Sequence, residues 1–411
     1  MLPIPNVMSP TTISSQEKFS PDRNIVWYLF LLGFFAIFST TISKNPALSL
    51  FSQALGADDA VIGLIAAVSP LAGILFSFPV GVLSDNSGRR KLLITSGMVF
   101  LSAPLCYLFI TDPFWLIPIR FFHGTATAIL VPVISAVIAE RFPDTKGAIL
   151  GQFSSATLTG RTIAPVIGGI IISYFVFYPG LTAYRIVYLV AAFAAVPVLI
   201  LTLMYRDDRT APRGFVPLSR FRESFVMFFS HARLRATALV DMATYFAFGA
   251  FETFLPLVLA SQGITAFQTG IIFAVQVLII AGTKPFFGKL ADRSDKRIQI
   301  AAGLVILGCS VAAIPLVSSF TLYLLVSATL GIGMSLSTVA TSAYVADIAD
   351  KEQIGASMGA LSSTMDIGHS AGPLITGIII TAVGYTTGFL VSFLLAITVT
   401  VVFIFSAWKR D

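Results

Sequence analysis

Residues 81–90 read GVLSDNSGRR, and residues 288–297 read GKLADRSDKR. Gly81 and Gly288, Asp85 and Asp292, and Arg90 and Arg297 are each separated by 207 positions in a chain of 411. The correspondence spreads outward from these two turns. GLIAAV at 63–68 aligns with GIIFAV at 270–275, Gly124 with Gly331, and Glu140 with Asp347. With one residue inserted, GAILG at 147–151 aligns with GASMG at 355–359, and Pro165 with Pro373. A repeat of half the chain implies two copies of one structural unit.

Composition identifies the medium around that unit. Only 11% of the residues are charged and 56% are hydrophobic, with a mean hydropathy of +0.89. A soluble domain carries roughly 25% charged residues, so most side chains here meet something other than water and the chain reads as an integral membrane protein. Cys106 and Cys309 lie inside apolar runs, without the spacing of a disulfide, zinc or redox site; they read as packing residues, and no metal or cofactor is expected. Residues 1–24 are polar and lack the apolar core of a signal peptide, so the first hydrophobic segment is expected to be retained.

Apolar segments long enough to span a bilayer as helices, about 20 residues each, fall at 25–51, 59–84, 91–111, 114–140, 146–175 and 181–205. Six more follow at 234–260, 266–291, 298–318, 320–349, 353–382 and 385–408. The expectation is an all-α membrane protein of twelve transmembrane helices. Its parts are a tail (1–24), a six-helix bundle (25–205), a linker (206–233) and a second six-helix bundle (234–411). The linker opens polar, then places Leu218, Phe221, Phe225 and Phe228 at helical spacing opposite Arg220, Arg222 and Glu223. It reads either as an interfacial amphipathic helix or as an extension of the seventh span.

Basic residues cluster before the first span, after every even-numbered one and throughout the linker. The loops near 57–59, 111–113, 262, 319 and 384 have none. The positive-inside rule then predicts cytoplasmic termini and linker, in the cytoplasmic membrane. The net charge of +6 is accounted for by topology, and nucleic-acid binding is not expected.

At this point the chain resembles the major facilitator superfamily over essentially its whole length. GVLSDNSGRR is similar to that family's signature between helices 2 and 3, and GKLADRSDKR to its degenerate copy between helices 8 and 9. Arg120 with His123 and Gly124 resembles the fourth-helix signature, with His123 where the family usually has Gln. GRTIAPVIGG at 160–169 resembles the fifth-helix signature of antiporters, with Ala164 in place of a usual Gly. The resemblance implies the major facilitator fold of two pseudo-symmetric bundles. It also implies helix kinks at Pro165, Gly168 and Gly169 and at Gly372 and Pro373.

The repeated turn has a physical reading beside the resemblance. Gly81 lets helices approach closely, and Asp85 can accept from the free amides at a helix N-terminus, which the resemblance places at the start of helix 11. Arg89 can then bridge Asp85 to Glu140, and Asp292, Lys296 and Asp347 repeat the trio. With Gly88 and Arg90, these residues are expected to form latches that close when the cavity opens outward and break when it opens inward.

Away from the loops, the cations Lys44, Arg120, Arg161, Arg185 and Lys284 remain within the spans. Arg185 is placed near an outer helix end. The acids there are Asp241 and Glu252 on the seventh span and Asp366 on the eleventh. A charge at mid-membrane usually faces a cavity or a partner. Asp241 and Glu252, about three turns apart, share a face, as do Arg120 with His123 and Asp366 with His369. Lys44 aligns within one residue of Glu252 across the repeat, so the two are expected to pair when the outer side is closed; the alternative for Lys44 is snorkelling.

Lys44, Arg120, His123, Arg161 and Tyr245 are thus candidates for substrate binding. Asp241, Glu252, Asp366 and His369 are candidates for proton coupling. Phe34, Phe35, Phe38, Tyr245, Phe246, Phe248 and Phe251 are candidates for an aromatic wall. The expected activity is proton-coupled export of a small amphipathic or anionic organic compound by a monomer. Proton symport of an organic anion is the alternative, and a non-transporting receptor a remote one. No nucleotide loop or nucleophile–base pairing points to an enzyme.

Overall fold

The structure is a computed structural model describing residues 23–206, 226, 228–349 and 354–408. For Arg23, Phe78, residues 81–87, Ala356 and Trp408 it describes the backbone only. The tail, Lys351 and most of the linker, including the expected amphipathic stretch as far as Phe225, lie outside the described residues; Phe228 is described and is buried in a cluster with Leu234 and Val345.

Among the described residues the regular structure is helical, because inside a bilayer a helix satisfies every backbone polar group internally. The first span is two helices, α1 (Arg23–Ile42) and α2 (Ala47–Ala54), broken at residues 43–46. The first half continues with α3 (Asp59–Ser87), α4 (Arg89–Tyr107), α5 (Leu116–Arg141), α6 (Lys146–Tyr174) and α7 (Thr182–Met204). The second half holds α8 (Ala232–Ser261), α9 (Ala266–Arg293), α10 (Lys296–Ala313), α11 (Phe320–Ile348), α12 (Ile354–Val383) and α13 (Tyr385–Trp408). Polar caps start several of them: Asp58 accepts from Val61 N at 2.8 Å, Ser319 accepts from Leu322 N at 3.3 Å, and Thr265 forms a capping box with Gln268.

Eleven helical segments among the described residues are long and apolar enough to cross a membrane. The third span, expected at 91–111, is shorter: α4 starts on Arg89-Arg90-Lys91 and stops at Tyr107, so fewer apolar residues remain for the bilayer. It still packs between α5 and α7 like a full member of the bundle. Large side chains such as Phe109, Phe177, Phe193 and Phe405 are exposed on the periphery, as lipid contact requires.

The repeat seen in sequence recurs in the packing. In the first half α1 lies on α6 and α7, α3 on α5, and α4 on α5 and α7; in the second α8 lies on α12 and α13, α9 on α11, and α10 on α11 and α13. The same two-fold relation holds between halves, where α3 packs on α12 and α6 on α9.

Both seams are tight at the end away from the basic loops. A Cβ on Gly169 would run into the backbone of Ala266, one on Gly270 into the carbonyl of Pro165, and one on Gly377 into the backbone of Asp59. Hydrogen bonds cross there too: Ala60 N to Thr381 Oγ1 (2.9 Å), Phe267 N to Ser173 Oγ (2.9 Å) and Tyr385 Oη to Asp59 Oδ1 (2.7 Å). About five turns further along the same helix faces stand Gly151, Gly288 and Gly359, and among the described residues a Cβ on any of these meets nothing within 4 Å. The halves therefore diverge, and the space between them opens on the basic-loop side.

This state corrects the expected latch. Arg89 pairs with Glu140 at 2.5 Å and Lys296 with Asp347 at 2.8 Å, although the basic-loop side is open. Each pair joins helices of one half, α4 to α5 and α10 to α11, so divergence of the halves does not pull it apart. Asp85 and Gly81 end α3, with side chains outside the described set. Asp292 is exposed, Arg90 reaches the carbonyl of Leu203 at 3.5 Å, and Arg297 is held by Asp295 at 2.8 Å, which keeps the Asp295 carboxyl below its ordinary range. Gly88, with φ of +85°, supplies the left-handed turn between α3 and α4 that a side chain would strain.

Candidate functional site

Lys44 stands in the break between α1 and α2, where a discontinuous helix brings polar groups inside the membrane-length span. Its Nζ lies 2.6 Å from Glu252 Oε2 on α8. His369 Nε2 on α12 is 3.0 Å from the same carboxylate oxygen and 3.2 Å from Lys44 Nζ. Asn45 Nδ2 donates to Glu252 Oε1 at 2.6 Å. Both carboxylate oxygens are thus engaged, one by a cation from the other half. Asn45 and Glu252 occupy equivalent positions of the repeat, and equivalent residues can touch only close to the two-fold axis relating the halves. The cluster plugs that axis on the closed side.

Asn45 was not among the residues singled out from sequence, although the same 207-residue offset that relates the turns points to it. Its loss is expected to weaken the plug without removing it. Asn45→Ala forfeits one hydrogen bond to a charged group, worth about 1.5–3 kcal/mol. A melting-temperature drop smaller than that of Glu252→Ala checks this; equal drops would place the interaction elsewhere.

The remaining acids form a second group further toward the open side. Asp241 is 5% exposed, with Thr341 close by and Asp366 in electrostatic range. Asp366 on α12 points across the seam at the backbone of Gly73 on α3. Neither makes an ion pair among the described residues. Asp241 and Glu252 share α8 but, about three turns apart, serve different groups. Tyr245 stands between the groups, its ring 6.3 Å from that of His369 and within electrostatic range of Asp241, Asp366 and Arg161.

Opposite them, Arg161 on α6 and Lys284 on α9 are exposed although both lie well inside membrane-length helices. They are in electrostatic range of each other, and Arg161 also of Lys44 and His369. Among the described residues neither has an ion-pair partner. The cavity is therefore polarised, cationic along α6 and α9 and acidic along α8 and α12.

Several expectations are corrected here. Arg120 and His123, read as cavity groups, are 4% and 2% exposed. Their shared face on α5 turns away from the opening, toward α4 and α7, where His123 lies 6.0 Å from the Tyr107 ring. Phe246, Phe248 and Phe251 are core residues at 4%, 6% and 0% exposure rather than an open wall. The helices run unbroken through Pro165 and Pro373, and the nearby glycines permit close packing, which leaves the expected kinks neither shown nor overturned. A Cβ on Gly168 would press on Ile42 and Asn45, one on Gly169 on Ala266, and one on Gly372 on the backbone of Phe246.

Comparison with known proteins agrees with this architecture. The family model described as Major Facilitator Superfamily matches residues 29–308 and 237–411. An uncharacterized MFS-type transporter of Methanocaldococcus jannaschii is 24% identical over 361 residues, covering 87% of this chain and 92% of that one. Multidrug resistance protein 1 of Bacillus subtilis is 26% identical over 361 residues, covering 87% and 90%. Among solved structures, a variant of the nucleoside transporter NupG superposes with a TM-score of 0.80 at 13% identity, covering 94% of this chain and 100% of that one. That likeness speaks for the fold alone. With two related six-helix halves around a charged central cavity and a family match along nearly its whole length, this chain is a multi-pass membrane transporter that belongs to the Major Facilitator Superfamily.

Proposed function

We propose that the protein exports a small amphipathic or anionic organic compound in exchange for protons, by alternating access across the cytoplasmic membrane. The observation that supports this most is the Lys44–Glu252–His369–Asn45 cluster, which bridges the two halves at the closed end of a cavity open toward the basic loops. On the positive-inside rule that open side is cytoplasmic. The state is then the one that loads an export substrate, and release outward requires the cluster to part.

The chemistry of the cluster links that parting to protons. Lys44 can only donate, and an ionised Glu252 can only accept. His369 Nε2 faces both, so with a hydrogen it bonds Glu252 and without one it accepts from Lys44. A proton arriving at this nitrogen switches its partner, and one arriving at Glu252 removes the charge that holds Lys44. Asp241 and Asp366 extend the proton route toward the open side. Arg161, Lys284 and Tyr245 are the groups offered to the anionic part of the substrate. Relatives named as multidrug resistance proteins favour export over uptake.

Reconstitution in proteoliposomes tests the reading. An acid-inside gradient should drive uptake of an anionic or amphipathic compound as protons leave. Uptake driven only by an acid exterior would replace antiport with symport, and transport without proton movement would remove the coupling. Asp366→Asn combined with Asp241→Asn is expected to abolish gradient-driven accumulation while substrate-for-substrate exchange continues. Unchanged accumulation would remove these acids from the route.

A further inference from the structure

Arg120, displaced from the cavity wall, raises a separate question. Its guanidinium is 4% exposed and makes no ion pair among the described residues. It forms no ion pair with Asp241, Glu252 or Asp366, and the cation Lys44 lies within its electrostatic range. A buried charge with no counter-charge is strongly disfavoured in a membrane protein.

The side chains around it deepen the anomaly. Tyr107 Oη lies beside the guanidinium but outside good hydrogen-bond geometry, and Tyr188 and His123 are also in its electrostatic range. The Tyr107 and Tyr188 rings stack at 4.3 Å, and His123 sits 6.0 Å from Tyr107. Arg120 Nε, both ring nitrogens of His123 and both tyrosine hydroxyls are buried without a hydrogen-bond partner. Native buried polar groups are almost always satisfied, so a cluster of this kind marks something that fills it. The cluster is rich in donors, carries positive charge and contains no carboxylate.

We propose that the space enclosed by Tyr107, Arg120, His123 and Tyr188, inside the first bundle, binds a small inorganic anion of halide size. The anion neutralises Arg120, accepts hydrogen bonds from the guanidinium, imidazole and phenol donors, and offsets the repulsion between Arg120 and Lys44. A neutral water would satisfy some donors but leave the charge. The site lies on the α4–α5–α7 side of the first bundle, among Tyr107, Arg120, His123 and Tyr188, and it does not depend on the export reading.

Thermal unfolding of the purified full-length protein tests this. In sodium gluconate at constant ionic strength, replacing gluconate by chloride or bromide should raise Tm saturably, by about 3 °C at a hundredfold excess over Kd. Arg120→Met should lose the saturable rise. Should that variant not fold, Tyr188→Phe, which removes a single donor, should move the chloride midpoint at least threefold. Equal Tm in gluconate and chloride would overturn the site in favour of water. So would a chloride response unchanged in Arg120→Met or in Tyr188→Phe.

Discussion

Replacing Glu252 with alanine is expected to destabilise the protein strongly and to stop transport. The substitution leaves Lys44 partly buried beside His369, without the carboxylate that pairs with it across the two halves. Removing one member of a buried ion pair costs about 3–5 kcal/mol, whereas replacing both by well-packed apolar groups is often neutral. Lys44→Met with Glu252→Met should therefore recover most of the lost melting temperature while transport stays absent. Recovery of both would reduce the pair to a structural link. The charge-swapped double variant adds a check on direct contact, since an equal loss in the swap, with no rescue, argues against the pairing.

Gly270→Leu is expected to hold the outer seam open and reduce transport about tenfold or more, because packed interfaces switch between discrete states instead of deforming gradually. At Gly270 even a Cβ would run into the carbonyl of Pro165. At Gly288, about five turns along the same face, a Cβ meets nothing within 4 Å among the described residues. Gly288→Leu should leave the present state undisturbed and instead block the opposite one. The two variants should thus trap opposite conformations. Labelling of Ser173→Cys by an impermeant maleimide, in a background without Cys106 and Cys309, distinguishes them: raised in Gly270→Leu, suppressed in Gly288→Leu. Identical labelling in the two would remove the seam from the transport cycle.

Several features of the site were legible before any coordinates. The pairing of Lys44 with Glu252 followed from the repeat, since near-equivalent positions at similar depth can meet at the axis. Asn45 was equally accessible by that logic, because it is the residue at the exact repeat distance; its neutral side chain drew no attention in a search for charges. The grouping of Arg120 with His123 on one helical face was also correct as a statement about α5. The direction of that face was not legible, since a helix surrounded by neighbours and lipid can be turned any way its packing allows. The same gap explains the latch: matched acids and bases at loop ends identify ion pairs but not whether a pair joins two halves or stays within one.

Sequence alone determined the membrane setting, the helical class, the duplication and the distribution of basic loops. Each rests on local quantities: apolar length against bilayer thickness, the period of a helix, a constant offset and the count of cations beside each span. Only the tertiary structure decided which charges face the cavity, which lie walled in behind it, and which end of the seam is closed. Those depend on the rotation of each helix about its axis and on the tilt between two halves, which are fixed by packing between residues far apart in the chain.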